Sequence, residues 1–194
     1  MEEELVKLKR RPFMFPLLLP VAVMAVVVLA AIWIWDMRAT TVVVIVRHAE
    51  VDPGTNPDPD LNLAGREHAA RLARVLASVQ EATAQGNRTP GERGVDAVFA
   101  SETRRSQQTA APLAEAMSLP VNVVPAAGWS ALPDRLLHDE RGKVVLVVGR
   151  ESTIPPLVDA LTGDTVTVGP NDADQLLIAF VPRLSRPRLL QLHY

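Results

Sequence analysis

The sequence predicts an α/β domain: a three-layer sandwich with a mostly parallel central sheet and an antiparallel edge, preceded by one N-terminal transmembrane helix. Three observations carry this expectation. Two near-continuous, β-branched apolar runs, residues 41–47 and 143–149, read as strands buried on both faces, and each ends in a charged turn. Segments of helical period separate the strands, as crossover connections in a parallel sheet require. The last two apolar runs, 175–181 and 188–193, have no helix between them and are flanked by proline, which puts them antiparallel at or near an edge.

The appendage comes first. Residues 13–35 are 23 consecutive uncharged residues, enough at ~1.5 Å per residue to cross a ~30 Å hydrocarbon core. Lys7, Lys9, Arg10 and Arg11 precede the run, while Asp36 and Arg38 nearly cancel behind it. The positive-inside bias then makes 1–12 a cytoplasmic tail and 13–35 a signal-anchor helix. Residues 36–40 form a short linker, and the domain 41–194 lies outside the cell membrane, in the periplasm where there is one. Trp33 and Trp35 fall where an interfacial aromatic belt would be, and membrane helices tolerate Pro16 and Pro20. A cleaved signal peptide is the rival reading, with a weak small-residue site at 28–30, but signal cores run only ~7–15 residues.

From Ala39 onward the chain has 15 basic and 18 acidic residues, a net charge of −3. No basic patch with interleaved aromatics suggests a nucleic-acid groove. The absence of cysteine removes disulfides, thiolate nucleophiles and thiolate metal sites.

After the first strand, residues 51–60 (VDPGTNPDPD) read as a loop. Asn62 caps a helix running to about Ala82, with Ala69, Leu72, Ala73, Leu76 and Val79 on its apolar face. His68 on this helix reads as a packed or surface histidine. Residues 86–94 form a loop and 95–100 a second strand. Ser101 then caps a helix over 102–117, whose first turn holds Arg104 and Arg105. Unpaired N–H groups and the helix dipole already favour an anion there. Residues 121–124 make a third strand, and 129–141 at best a short helix, interrupted by Pro133. His138 reads as a solvated helix end. The fourth strand, 143–149, runs into the turn Arg150-Glu151-Ser152, and a helix with prolines in its first turn follows from Thr153. His193, in the last strand, reads as structural.

Three strands therefore end in charged turns: Arg47-His48, Ser101 with Arg104 and Arg105, and Gly149-Arg150. In a mostly parallel sheet these ends share one rim, where such sheets bind ligands. Histidine is a competent nucleophile near neutral pH, and guanidinium groups grip phosphoryl oxygens through geometrically specific, charge-assisted bonds.

The string Arg47-His48-Ala49-Glu50, then Leu61-x-x-x-Gly65-Arg66, then Ser101-x-x-x-Arg105-x-x-Gln108-Thr109-Ala110, resembles the histidine phosphatase superfamily, also called phosphoglycerate mutase-like, and in particular a small bacterial branch. The resemblance spans 41 to the C-terminus. It implies that His48 is the phosphorylated nucleophile, that Arg47 and Arg105 hold the phosphoryl oxygens, and that neither metal nor cofactor is needed. Ser101 and Arg150 would add phosphate contacts. The chain departs from the pattern after the fourth strand, where Arg150 occupies the position of the family's second histidine. Glu50, Glu102 and Asp134 are the candidates for the general acid. Two functions are expected from these residues. The first is a membrane-anchored phosphohydrolase acting on a phosphorylated small molecule or phosphoprotein. The alternative is a catalytically impaired relative that binds a phosphorylated ligand or serves as a tethered scaffold.

Overall fold

The structure is a computed structural model that describes residues 15–38, 40–83, 94–169 and 172–193, with the side chains of 15–18, 35–38 and 78–83 left aside. The expected tail 1–12, most of the expected loop 86–94, and the Trp35 and Val79 side chains lie outside the described residues.

Six strands form one mixed sheet in the order β3-β2-β4-β1-β5-β6. They are β1 (Thr41–Arg47), β2 (Ala97–Ser101), β3 (Val121–Val124), β4 (Val144–Gly149), β5 (Gln175–Val181) and β6 (Arg188–His193). The first four are mutually parallel. As the proline-flanked runs suggested, β5 lies antiparallel to β1, and β6 pairs antiparallel with β5 at the edge.

Both faces of the sheet are covered, which is why its central strands carry no polar alternation. Odd-numbered β1 residues Val43 and Ile45 join Phe99, Val145 and Val147 under α4 (Leu132–Asp139) and α5 (Ile154–Thr162). Even-numbered Val44 and Val46 join Val98, Leu146 and Val148 under α2 (Leu63–Thr83) and α3 (Arg104–Met117). Leu72, Ala73 and Leu76 of α2 point into this second core, as their spacing predicted.

Two boundaries differ from expectation for identifiable reasons. Pro133 does not interrupt the fourth helix but opens it, standing in the first turn of α4, where the missing N–H would be unbonded anyway. Ser101 does not cap α3. It closes β2, fully buried, while α3 begins at Arg104, and the local cap position Thr103 makes no side-chain cap bond. The carboxylate of Asp58, 46 residues earlier, accepts the Arg104 N–H at 3.1 Å from both oxygens. That tertiary cap lets the helix start later than its local sequence suggests.

Ahead of the domain, α1 spans Phe15–Arg38 and exposes its apolar side chains, among them Leu29 and Trp33. Among the described residues no helix is long and apolar enough to cross a membrane.

Candidate active site

Register brings the three charged turns together. Arg47 is level with Gly149 across β1–β4, Ala100 with Val148 across β2–β4, and Ser101 with Val124 across β2–β3. All four parallel strands thus finish on one rim. The β1–β4 ladder runs one residue further, because the His48 N–H donates to the Gly149 carbonyl at 3.1 Å. The Ala49 N–H donates to the Thr109 hydroxyl at 3.0 Å, and that hydroxyl donates to the Arg105 carbonyl at 2.7 Å. One side chain on α3 therefore ties the turn after β1 to the turn of helix that carries Arg105.

The His48 ring is nearly buried, 8% exposed. Its Nδ1 lies 2.9 Å from the Ala49 carbonyl oxygen. A carbonyl can only accept, so Nδ1 carries the proton and Nε2 holds the lone pair. The imidazole pKa falls from 6.5 to about 4. Burial is the main cause, and the Arg47, Arg105 and Arg150 guanidinium charges push the same way, against the Ala49 hydrogen bond. Charges drawn from β1, α3 and the β4–α5 turn thus converge on one neutral imidazole. Arg47 is steadied by an Nη1 bond to the Gly169 carbonyl at 3.2 Å. The Nε atoms of Arg105 and Arg150 are buried and have no hydrogen-bond partner among the described residues. Buried donors normally find an acceptor, so both are suited to an arriving oxyanion.

Arg150 is held by its own turn. Its N–H donates to the Thr153 hydroxyl at 2.9 Å, and that hydroxyl is 3.2 Å from the Arg150 carbonyl. Gly149 makes the turn possible, since a Cβ there would lie 2.9 Å from Ile154 Cγ1 and 3.2 Å from the Trp129 ring.

Residues 43–127 match the histidine phosphatase superfamily, branch 1. Over that segment the chain is similar to the histidine phosphatases. Among solved structures, the protein histidine phosphatase SixA complexed with tungstate superposes with a TM-score of 0.60 at 19% identity, over 78% of this chain and 96% of that one. A mycobacterial glucosyl-3-phosphoglycerate phosphatase with inorganic phosphate gives 0.56 at 18% identity, over 79% and 97%. A protein described as mycobacterial hydrolase 1 gives 0.56 at 18%, over 80% and 99%. At such identities these likenesses speak for the fold alone. No curated protein matches the chain.

The remaining candidates fall in different places. Ser101 is fully buried, and its hydroxyl donates to Ser106 at 2.7 Å and lies 2.9 Å from the Thr103 hydroxyl. It supports the strand-to-helix turn rather than facing the rim. Arg104 is exposed and forms an ion pair with Asp60 at 2.8 Å. Glu102 is exposed, and its carboxylate accepts the Ala126 N–H. Asp134 is exposed in the first turn of α4. Glu50 is engaged by His68. Its two oxygens each lie 3.1 Å from Nδ1 of His68, which is 8% exposed. Burial pushes the Glu50 pKa up, but its own amide, His68 and Arg47 outweigh this and leave it below the ordinary value. None of the three acid candidates is among the charges acting on His48.

Sequence reasoning passed over His68 as a bystander. Spacing alone cannot reveal that α2 brings it against Glu50, although the neighbouring Gly65 is a clue. A Cβ at Gly65 would lie 2.0 Å from the Glu50 carbonyl oxygen, so α2 touches the backbone two residues after His48. Motif spacing alone assigns no role to Gln108 or Thr109. Gln108 accepts the Leu61 N–H at 2.8 Å and donates to Asp60 at 2.6 Å, pinning the end of the 51–60 loop.

Proposed function

We propose that this chain is a phosphohydrolase that works through a phosphohistidine on His48. The reading rests on one observation above all. A neutral imidazole, its Nδ1–H engaged and its Nε2 lone pair available, is flanked by three arginine charges, of which two have buried, unsatisfied Nε donors.

Nε2 attacks phosphorus in line. The bond from phosphorus to the leaving group breaks (P–O in an ester, P–N in a phosphohistidine), the departing alkoxide or imidazole takes up a proton from water, and a phosphoryl-imidazole forms. Water then attacks the same phosphorus, releasing inorganic phosphate and regenerating the imidazole. Arg47, Arg105 and Arg150 stabilise negative charge on the three transferring oxygens throughout, the largest contribution expected for this chemistry. The substrate is a phosphomonoester or a phosphorylated protein side chain. Solved structures of similar fold are named as a protein histidine phosphatase and as a glucosyl-3-phosphoglycerate phosphatase, so both classes stay in view.

The domain acts from the membrane. The uncharged run 13–35 and the basic cluster before it support a single-pass anchor with a cytoplasmic amino terminus and an extracytoplasmic domain. Trypsin added to intact spheroplasts would digest a domain placed this way. Full protection would end the proposal.

A second reading has its own support. Arg150 stands where the family that the sequence resembles has a second histidine, so a ligand-binding protein without turnover fits the same residues. Incubating the full chain with a radiolabelled phosphoryl donor and trapping an acid-labile, His48-dependent label favours the enzyme. Saturable phosphate binding with neither label nor aryl phosphate hydrolysis favours the binder. Arg150→His beside wild type separates the cases further, since a large gain in hydrolysis marks a crippled site and no gain marks chemistry adapted to arginine.

A further inference from the structure

The end of the sheet opposite the active-site rim has its own character. Thr41 pairs with Val181 and Phe180 with Arg188, so the β5–β6 turn, residues 182–187, lies where the chain enters the domain from α1. Residues 175–194 contain no Asp or Glu, while Arg183, Arg186 and Arg188 fall within six positions, and all three are exposed. Among them Leu184 is 63% exposed, and Phe180 and Leu190 are exposed nearby. A depression of about 560 Å³ connects this turn to the helix, lined by Trp33 and Thr40 on one side and by Phe180, Arg186, Arg188 and Leu190 on the other.

We infer that the 182–188 turn is a membrane-docking element that seats on anionic phospholipid headgroups around the emerging α1. The inference rests on the proposed anchor. Its independent content is the pairing of basic and apolar side chains on one exposed turn. Leucine enters the headgroup boundary while arginines reach lipid phosphates, as side chains at interfaces do. The charge selects the partner: three arginines with no nearby acid in sequence favour an anionic surface over a neutral one. Each basic residue at such a surface strengthens association roughly five-fold, so three contribute on the order of 100-fold, and salt weakens the effect.

The chain has no cysteine, which permits a direct test. Leu184→Cys in the full chain carries an environment-sensitive fluorophore, and Thr55→Cys in the loop at the opposite rim carries the same one. Both are reconstituted into vesicles of phosphatidylcholine alone, or with about one third phosphatidylglycerol, containing headgroup-depth nitroxide lipid. Alkaline carbonate extraction reports separately whether α1 is inserted. Expected is strong quenching at 184 but not at 55, greatest with phosphatidylglycerol and largely lost on combining Arg183→Gln, Arg186→Gln and Arg188→Gln. Aryl phosphate turnover in detergent should be unchanged. Equal signals at 184 and 55 in a carbonate-resistant chain overturn the docking element while leaving the anchor. Quenching at 184 that ignores both lipid charge and the arginines overturns it as well. Phosphatidylglycerol-dependent quenching of a carbonate-extractable chain upholds docking and removes the anchor, and no quenching in an extractable chain removes both.

Discussion

His48 is the residue on which chemistry and stability meet. Its pKa of about 4 when folded lies below the 6.5 of the free side chain, so the unfolded chain binds this proton more readily. Above pH ~6.5 the difference has no effect. As pH falls from there to about 4 stability is lost, and below that the loss levels off near 3 kcal/mol in order of magnitude. Urea unfolding of wild type and His48→Asn between pH 7 and 4 should show the variant missing this part of the acid sensitivity. In the same range the imidazole stays unprotonated, so the acidic limb of turnover set by His48 should lie near or below pH 5. Arg150→Ala removes one of the charges that depress the ring. An upward move of the His48 titration by nuclear magnetic resonance should accompany a fall in aryl phosphate hydrolysis of about 10²–10³-fold. A fall in rate with an unmoved titration would mean that the guanidinium acts elsewhere.

Among the elements, α2 and α3 carry the most consequence for the site, and they were unequally readable. Buried β-branched runs announce strands because two covered faces need apolar residues at every position, and β1 and β4 are of that kind. The Arg105, Gln108 and Thr109 spacing was equally visible, since these residues share a helix. Contacts between distant segments left no local mark. The late start of α3 depends on Asp58 in another loop, and the partner of His68 lies on the far side of a turn. The close approach of α2 gives a sharp test. With a Cβ only 2.0 Å from the Glu50 carbonyl oxygen, Gly65→Ala should displace the helix or the turn and destabilise the domain by about 1–3 kcal/mol, measured by urea midpoint. Asn62 accepts the Gly65 N–H at 2.8 Å and donates to the Val51 carbonyl at 3.1 Å. Asn62→Ala should cost about 1 kcal/mol, as helix caps do.

At the scale of the molecule, the two ends of the sheet carry different groups. One end receives α1 and the basic turn, and the other gathers the imidazole and guanidinium groups. Between them lie the seven residues of β1, which at ~3.3 Å each separate the ends by about 20 Å. On the proposed anchoring, a tether at one pole and the His48 rim at the other would hold the rim at a fixed standoff from the bilayer. Phosphate esters buried among neighbouring lipid heads would then stay beneath its reach, while freely diffusing metabolites and chains that protrude from the bilayer would pass at the right height. A water-soluble aryl phosphate should therefore be consumed by the reconstituted chain while phosphatidic acid in the same vesicle is left intact.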